Sequence, residues 1–196
     1  MRKVLATILC IVMTLALFGC AGDDTDFDEP TIEVLKGGRI IKTTIETFDK
    51  PYYNVDELKE EYNEAIKEYN LSKAEDKVTL KDIHTLEDEV SVCLEYESAE
   101  DCMAFEGDEM FYGTVKDARL MGYMTEVSLK NVADGSIIDE TGLLKISDNN
   151  VFITADSGLI KLPGKIMYLS AGAEAVSDKT VRISSDSSGF AVIVIK

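Results

Sequence analysis

The groups in this sequence that could do chemistry are its thiols, one imidazole and a dense set of carboxylates. Four cysteines (Cys10, Cys20, Cys93 and Cys102) accompany a single histidine, His84. A nucleophilic Ser or Cys needs a base within hydrogen-bond reach, and that base needs a third group to orient it. His84 is the only imidazole available to Cys93 or Cys102. It lies in Lys81-Asp82-Ile83-His84-Thr85 at the end of an expected strand, and it reads as a surface or turn histidine. No Gly-x-Ser-x-Gly elbow, phosphate-cradling glycine loop or His-Glu-x-x-His helix occurs. Aspartate and glutamate total 37, so almost any two could be paired as glycosidase acids, and abundance singles out none. One histidine and two cysteines are too few to close a transition-metal site. Asp24, Asp26 and Asp28 alternate like the start of a calcium loop, but its glycine and closing glutamate are missing. If acids distant in sequence did converge on calcium, the turn residues Asp148 and Asp156 would be the first ligands to mutate. The residues therefore assign no catalytic, cofactor-binding or metal-ligating position.

Cys20 invites a different chemistry. Arg2 and Lys3 precede an apolar run from Val4 to Phe18, which is short of the roughly 20 residues that span a bilayer. Gly19 is the small residue expected before a cleavage site, and Ala21-Gly22-Asp23-Asp24 turns polar at once. Leu17-Phe18-Gly19-Cys20 resembles a bacterial lipobox, with Phe18 bulkier than the usual residue at its position. The resemblance implies cleavage before Cys20 and a diacylglyceryl thioether on its sulfur. The expected organisation is a signal peptide over 1–19, a lipidated acidic tether over 20–30, and one extracellular domain over 31–196. Within that domain, 31–122 and 123–196 are candidate lobes.

Charge limits the partners. The whole chain carries −17, and loss of Arg2 and Lys3 with the leader lowers its 20 basic residues to 18 against 37 acids, a net −19. Such a body is repelled by nucleic acid and by anionic lipid. Cys10 leaves with the leader, so Cys93 and Cys102 remain. An extracytoplasmic site permits a disulfide between them but does not require one.

The elements that would position any site follow from pattern. Thr31 to Phe48 is rich in β-branched residues and reads as strand, with a turn or bulge at Gly37-Gly38. Asn54 caps a helix whose apolar stripe is Val55, Leu58, Tyr62, Ala65, Ile66 and Tyr69, and Asn70 is expected to close it. Val78–Leu80 and Val90–Tyr96 form a hairpin turning at Leu86-Glu87-Asp88. Ser98 with Asp101, and Thr114 with Asp117, each start a short helix, stopped at Gly107 and Gly122. From Tyr123 the chain reads as strand and turn. Asp134-Gly135 signals a hairpin between Met124–Val132 and Ile137–Ile138, and strands follow over Val151–Thr154, Leu159–Leu162, Lys165–Ser170, Ala173–Val176, Thr180–Ser184 and Phe190–Ile195. The last is apolar on both faces and is expected at the centre of a sheet. The fold class is α+β: a mostly antiparallel sheet, one main amphipathic helix, two short helices and an all-β C-terminal part.

Phe48-Asp49-Lys50-Pro51-Tyr52-Tyr53 with its following helix, Leu94-Glu95-Tyr96-Glu97-Ser98-Ala99-Glu100-Asp101, and Gly113-Thr114-Val115-Lys116-Asp117-Ala118 together resemble an uncharacterised lipoprotein family of clostridial-type Gram-positive bacteria. The resemblance implies a surface lipoprotein and no particular activity. Tyr52-Tyr53 and Phe111-Tyr112 fall at loop positions, where they either form an exposed aromatic patch or pack over a core edge. The expected protein is a non-catalytic interaction or ligand-binding module. It would be anchored at Cys20 on the extracytoplasmic face of the cell membrane, with a protein or small-molecule partner and no cofactor. The alternatives are an extracytoplasmic enzyme with a carboxylate-based site and an accessory subunit of an envelope complex.

Overall fold

A computed structural model describes residues 29–125, 127–186 and 189–196. The expected leader, Cys20 and the acidic run up to residue 28 lie outside the described residues.

Glu29 and Pro30, expected at the end of the tether, are tied to the domain. The Glu29 carboxylate takes the Arg182 guanidinium in a two-point contact, Nη1 to Oε2 at 2.5 Å and Nη2 to Oε1 at 3.2 Å. The Pro30 carbonyl accepts from the Leu159 amide at 2.9 Å. That approach explains Gly158, whose φ is +115° and where a Cβ would collide with the Pro30 carbonyl oxygen.

β1 (Thr31–Val34) and β2 (Ile40–Thr47) form a hairpin over Gly37-Gly38. Pro51 and the loop around it then break the strand, and α1 (Val55–Lys73) starts where Asn54 accepts from the Asp56 amide at 2.9 Å. Asn70 does not close this helix. The helix runs on to Lys73, and Ala74 takes the left-handed conformation at φ 57°. The Asn70 amide instead secures the next strand: it accepts from the Lys77 and Val78 amides at 2.9 and 3.0 Å and donates to the Val78 carbonyl at 2.9 Å. These bonds satisfy the polar groups at the entry to β3 (Val78–Leu86), which turns through Glu87 at φ 52° into β4 (Glu89–Tyr96).

The two expected capping devices are both present. Ser98 accepts from the Asp101 amide at 3.0 Å to start α2 (Ala99–Glu106), which ends at left-handed Gly107. After β5 (Met110–Thr114), Thr114 accepts from the Asp117 amide at 3.1 Å to start α3 (Val115–Leu120).

The stretch after Tyr123 departs from expectation. Among the described residues of this stretch, strand is limited to Lys130–Asn131, as β6, with a single bridge from Lys130 to Ile137 across the turn at Asp134-Gly135, where the dipeptide signal puts it. Met124 and Leu129 are buried as irregular chain in a second core, so their burial serves packing and not strand pairing. A helix, α4 (Glu140–Lys145), occupies part of the region read as strand and turn. Asp139 caps it by accepting from the Gly142 amide at 2.7 Å, and Leu143 anchors it in the same core. Gly142 weakens its helical signal in the sequence. The remaining strands, β7 (Asn150–Thr154), β8 (Gly158–Lys161), β9 (Ile166–Leu169), β10 (Ala173–Ala175), β11 (Thr180–Ile183) and β12 (Ala191–Ile195), match the expected ones closely.

Two sheets result. The first has the order β10-β11-β8-β1-β2-β4-β3 and the second β5-β7-β12-β9-β6. All pairings are antiparallel except β1 with β8. Each sheet draws strands from both 31–122 and 123–196, so these stretches share one core and do not stand as lobes. The main core joins Ile32, Leu94 and Ile160 of the first sheet to Phe152, Ile193 and Ile195 of the second, with Ile66 of α1 and Cys102 of α2 packed in. The other face of the second sheet, with Val151, Ile153, Val192 and Val194, is covered by Val115 and Ala118 of α3, by Leu143 of α4 and by the loop residues Met124 and Leu129. The architecture is α+β with open, largely antiparallel sheets.

Candidate functional site

Two features stand out, one closed and one open. The closed one is centred on Lys42. Strand register places Val181, Ile160, Ile32, Lys42, Leu94 and Leu80 in one row across the first sheet. Every other member of that row is aliphatic and packs in the main core. Lys42 is only 6% exposed, and its ammonium is met by three carboxylates: Asp108 Oδ2 at 2.7 Å, Asp156 Oδ2 at 3.0 Å and Glu106 Oε2 at 4.0 Å. Glu106 also accepts from the Tyr96 hydroxyl.

These acids come from chain connections. Glu106 ends α2, Asp108 lies between α2 and β5, and Asp156 lies in the turn between β7 and β8. The lysine thus fastens two of the connections that carry the chain from one sheet to the other. Burial alone would lower its pKa. The hydrogen bond to Asp108 and the fields of Asp156 and Glu106 outweigh burial and raise it, so Lys42 is a fixed cation and not a base or Schiff-base nucleophile. With its ammonium in their midst, the three acids are committed to it. Among the described residues, no group of three or more His, Cys, Asp or Glu side chains is arranged to hold a metal ion.

The thiols are also closed off. Cys93 on β4 and Cys102 on α2 are both fully buried and are not joined by a disulfide. Burial, reinforced by Glu106, Asp156 and Asp108 against the opposing field of Lys42, pushes the Cys102 thiol up to about 12, far from a thiolate. His84 is exposed on β3 opposite Ser91, and Asp82 is the residue opposite Cys93. An exposed imidazole beside wholly buried thiols gives no surface at which a substrate could meet both. Of the two turn acids, Asp148 is exposed and Asp156 is taken up by Lys42.

The open feature is a cleft of about 330 Å³ between the end of β2, the start of α1 and β4. Its floor is aliphatic, from Leu58, Val90 and Val92. Pro51 stops β2 from continuing, and the Tyr53 amide donates to the Lys50 carbonyl at 3.0 Å, folding the connection back. The fold-back stacks Phe48 on Tyr53, with ring centroids 4.9 Å apart, and sets the Tyr52 and Tyr53 rings at 74° to one another with centroids 5.0 Å apart. Tyr52 remains 73% and Tyr53 44% exposed. Tyr62 closes the inner end, and its phenol pKa is raised by burial and by the carboxylates of Glu106 and Glu46.

Glu46, Glu57 and Glu61, with Thr47 and Asn54, complete the lining, and no lysine or arginine contributes to it. The other aromatic pair behaves differently. Phe111 packs on the second core beside Tyr123, and Tyr112 packs on the main core, so those rings cover core edges. Sequence reading singled out Tyr52 and Tyr53 but not Phe48, Tyr62 or the glutamates that join them, and it missed Lys42 altogether. The signal for Lys42 was a lysine two residues from Ile40 and so on the same face of β2.

Among the described residues, no helix is long and apolar enough to cross a membrane. No protein-family model, no curated protein and no solved structure matches this chain.

Proposed function

We propose that this protein is a cell-surface lipoprotein that works by binding and not by catalysis. An acidic α+β domain is held at the extracytoplasmic face of the membrane by lipid on Cys20, and the aromatic cleft is its ligand site. The observation that carries the binding role is the exposure of Tyr52 and Tyr53 above an aliphatic floor, on a loop fixed between a strand end and a capped helix. Binding residues concentrate at such positions because the frame orders them before the ligand arrives. Two sets of groups that could have served catalysis are committed elsewhere: the acids around Lys42 to that lysine, and the thiols to the core. The lipobox-like Leu17-Phe18-Gly19-Cys20 supports the anchor, since two acyl chains at about 0.8 kcal/mol per buried CH₂ hold a protein firmly on a bilayer.

Two measurements test this reading. In a host with a lipoprotein pathway, Cys20→Ala should abolish incorporation of labelled palmitate and leave an unprocessed precursor. Labelling equal to that of the parent would refute the anchor. For the cleft, a small-fragment screen by protein-observed NMR should shift the amides of Phe48, Tyr53, Asn54 and Val92 ahead of the rest of the chain. A screen in which no fragment, charged or neutral, perturbs those amides would remove the cleft as the ligand site.

A further inference from the structure

Resting on the assignment of the cleft as the ligand site, we infer that its ligand is a small, weakly hydrated organic cation of the quaternary or trimethylammonium class. Three observations carry this. The cleft presents aromatic rings, from Phe48, Tyr52, Tyr53 and Tyr62, in a space of about 330 Å³, at the small end of ligand pockets. Aromatic faces carry negative charge density and attract a cation held within about 6 Å of the ring centroid. The lining also carries three carboxylates with no cation to balance them. None of Glu46, Glu57 and Glu61 is ion-paired among the described residues, and the nearby Lys50 is paired with Asp49 at 2.7 Å.

The floor decides between classes of cation. Among the described residues no three carboxylates are arranged to hold a metal ion, and Leu58, Val90 and Val92 add no oxygen for a hard ion such as calcium, which needs six to eight oxygen ligands. A methylated ammonium loses little hydration, and its methyl groups fit an aliphatic floor while its charge faces rings and carboxylates. An anion would be excluded by the three glutamates, and a neutral ligand would leave their charge unused.

The test is a titration of the full-length protein in detergent micelles with choline and with its neutral isostere, 3,3-dimethylbutan-1-ol, followed by NMR and calorimetry. Choline should bind saturably and shift the Phe48, Tyr53 and Val92 amides, with the isostere at least about tenfold weaker. Tyr53→Phe, which keeps the ring, should leave choline affinity within about threefold. Tyr53→Leu, and Glu57→Gln with Glu61→Gln, should each weaken it about tenfold or more while the protein still melts cooperatively. Equal affinity for choline and the isostere would overturn the cationic assignment and leave the cleft standing as a ligand site. Choline affinity unmoved by the Tyr53→Leu and glutamate variants would overturn the cationic assignment at this cleft. Failure of both probes to shift the cleft amides would also overturn it, while the wider fragment screen decides separately whether the cleft binds at all.

Discussion

Replacing Lys42 by methionine is expected to destabilise the domain by about 3 kcal/mol, read as a fall in the urea midpoint at unchanged slope. Methionine fits the aliphatic row between Ile32 and Leu94 about as well as the lysine stem does, so packing is not what is lost. The cost is electrostatic. Glu106, Asp108 and Asp156 would keep their places without the ammonium that neutralises one of their charges. Breaking a buried pair by removing one partner costs about 3–5 kcal/mol, and the lower end applies because Asp108 is 47% exposed and water screens it. The sign of the cause is checkable. Adding Asp108→Asn and Asp156→Asn to Lys42→Met should recover at least about 1 kcal/mol, although each asparagine alone should destabilise the parent. If the triple variant is no more stable than Lys42→Met, the cluster is not held together by charge.

The same cluster sets a pH dependence. Lys42 titrates higher in the folded protein than in the unfolded chain, as do Tyr96 and Cys102, whose neutral forms burial and nearby carboxylates favour. A group with a raised folded pKa contributes fully below its unfolded pKa and loses that contribution as pH rises through the folded one. The unfolded thiol, phenol and ammonium titrate near 9.0, 10.0 and 10.5, and the folded Cys102 thiol at about 12. Between these limits the folded chain holds more protons than the unfolded, so stability falls with pH. Melting temperature should therefore decline steadily from about pH 9 upward. In Lys42→Met the decline should be shallower and still present, because Tyr96 and Cys102 remain. A flat profile to about pH 11.5 would show that these groups do not titrate with folding.

How much of this was legible in sequence differs by element, and for physical reasons. Short-range signals did well. The side chains of Asn54, Ser98 and Thr114 each accept from an amide two or three residues on, a contact that needs no tertiary information. Asn70 defeated the same logic because its amide found a partner in β3, eight residues away, and only the folded chain brings those together.

Lys42 was hidden by its neighbours. On β2, Ile41 and Ile45 alternate with lysine and threonine, which points the eye to the wrong face. Yet register puts Ile40, Lys42, Thr44 and Glu46 on the side of Tyr96, Leu94, Val92 and Val90, which is the core. A charge can face the core only if acids arrive from elsewhere, and Asp108 and Asp156 lie far away along the chain. For the cleft, the two tyrosines and the proline break were visible in sequence. Its glutamates were one set among 37 acids until the helix and the strand end brought them to one rim.

Ending the chain after Ser188 is expected to abolish the native fold. β12 lies at the centre of the second sheet, paired with β7 on one side and β9 on the other. Its five residues are all buried, and they alternate between two cores: Ala191, Ile193 and Ile195 face the first sheet, and Val192 and Val194 face α3 and α4. That double burial is why the strand is apolar on both faces. Removing Val192 to Ile195 gives up about 1.5–3 kcal/mol for each side chain, roughly 6–12 kcal/mol in all. It also leaves the facing edges of β7 and β9 with unpaired amides and carbonyls. A domain of this size has a net stability of about 5–15 kcal/mol, so the loss consumes most or all of it. The truncated protein should lack a cooperative melt, lose the dispersion of its amide spectrum and aggregate through the opened sheet. A milder lesion separates the cores. Val194→Ala should cost about 2 kcal/mol and loosen α3 and α4. Ile193→Ala should cost about 3 kcal/mol and be felt across the first sheet as well. A truncated chain that melted cooperatively at the parent's temperature would mean that β12 is not the strand that joins the two cores.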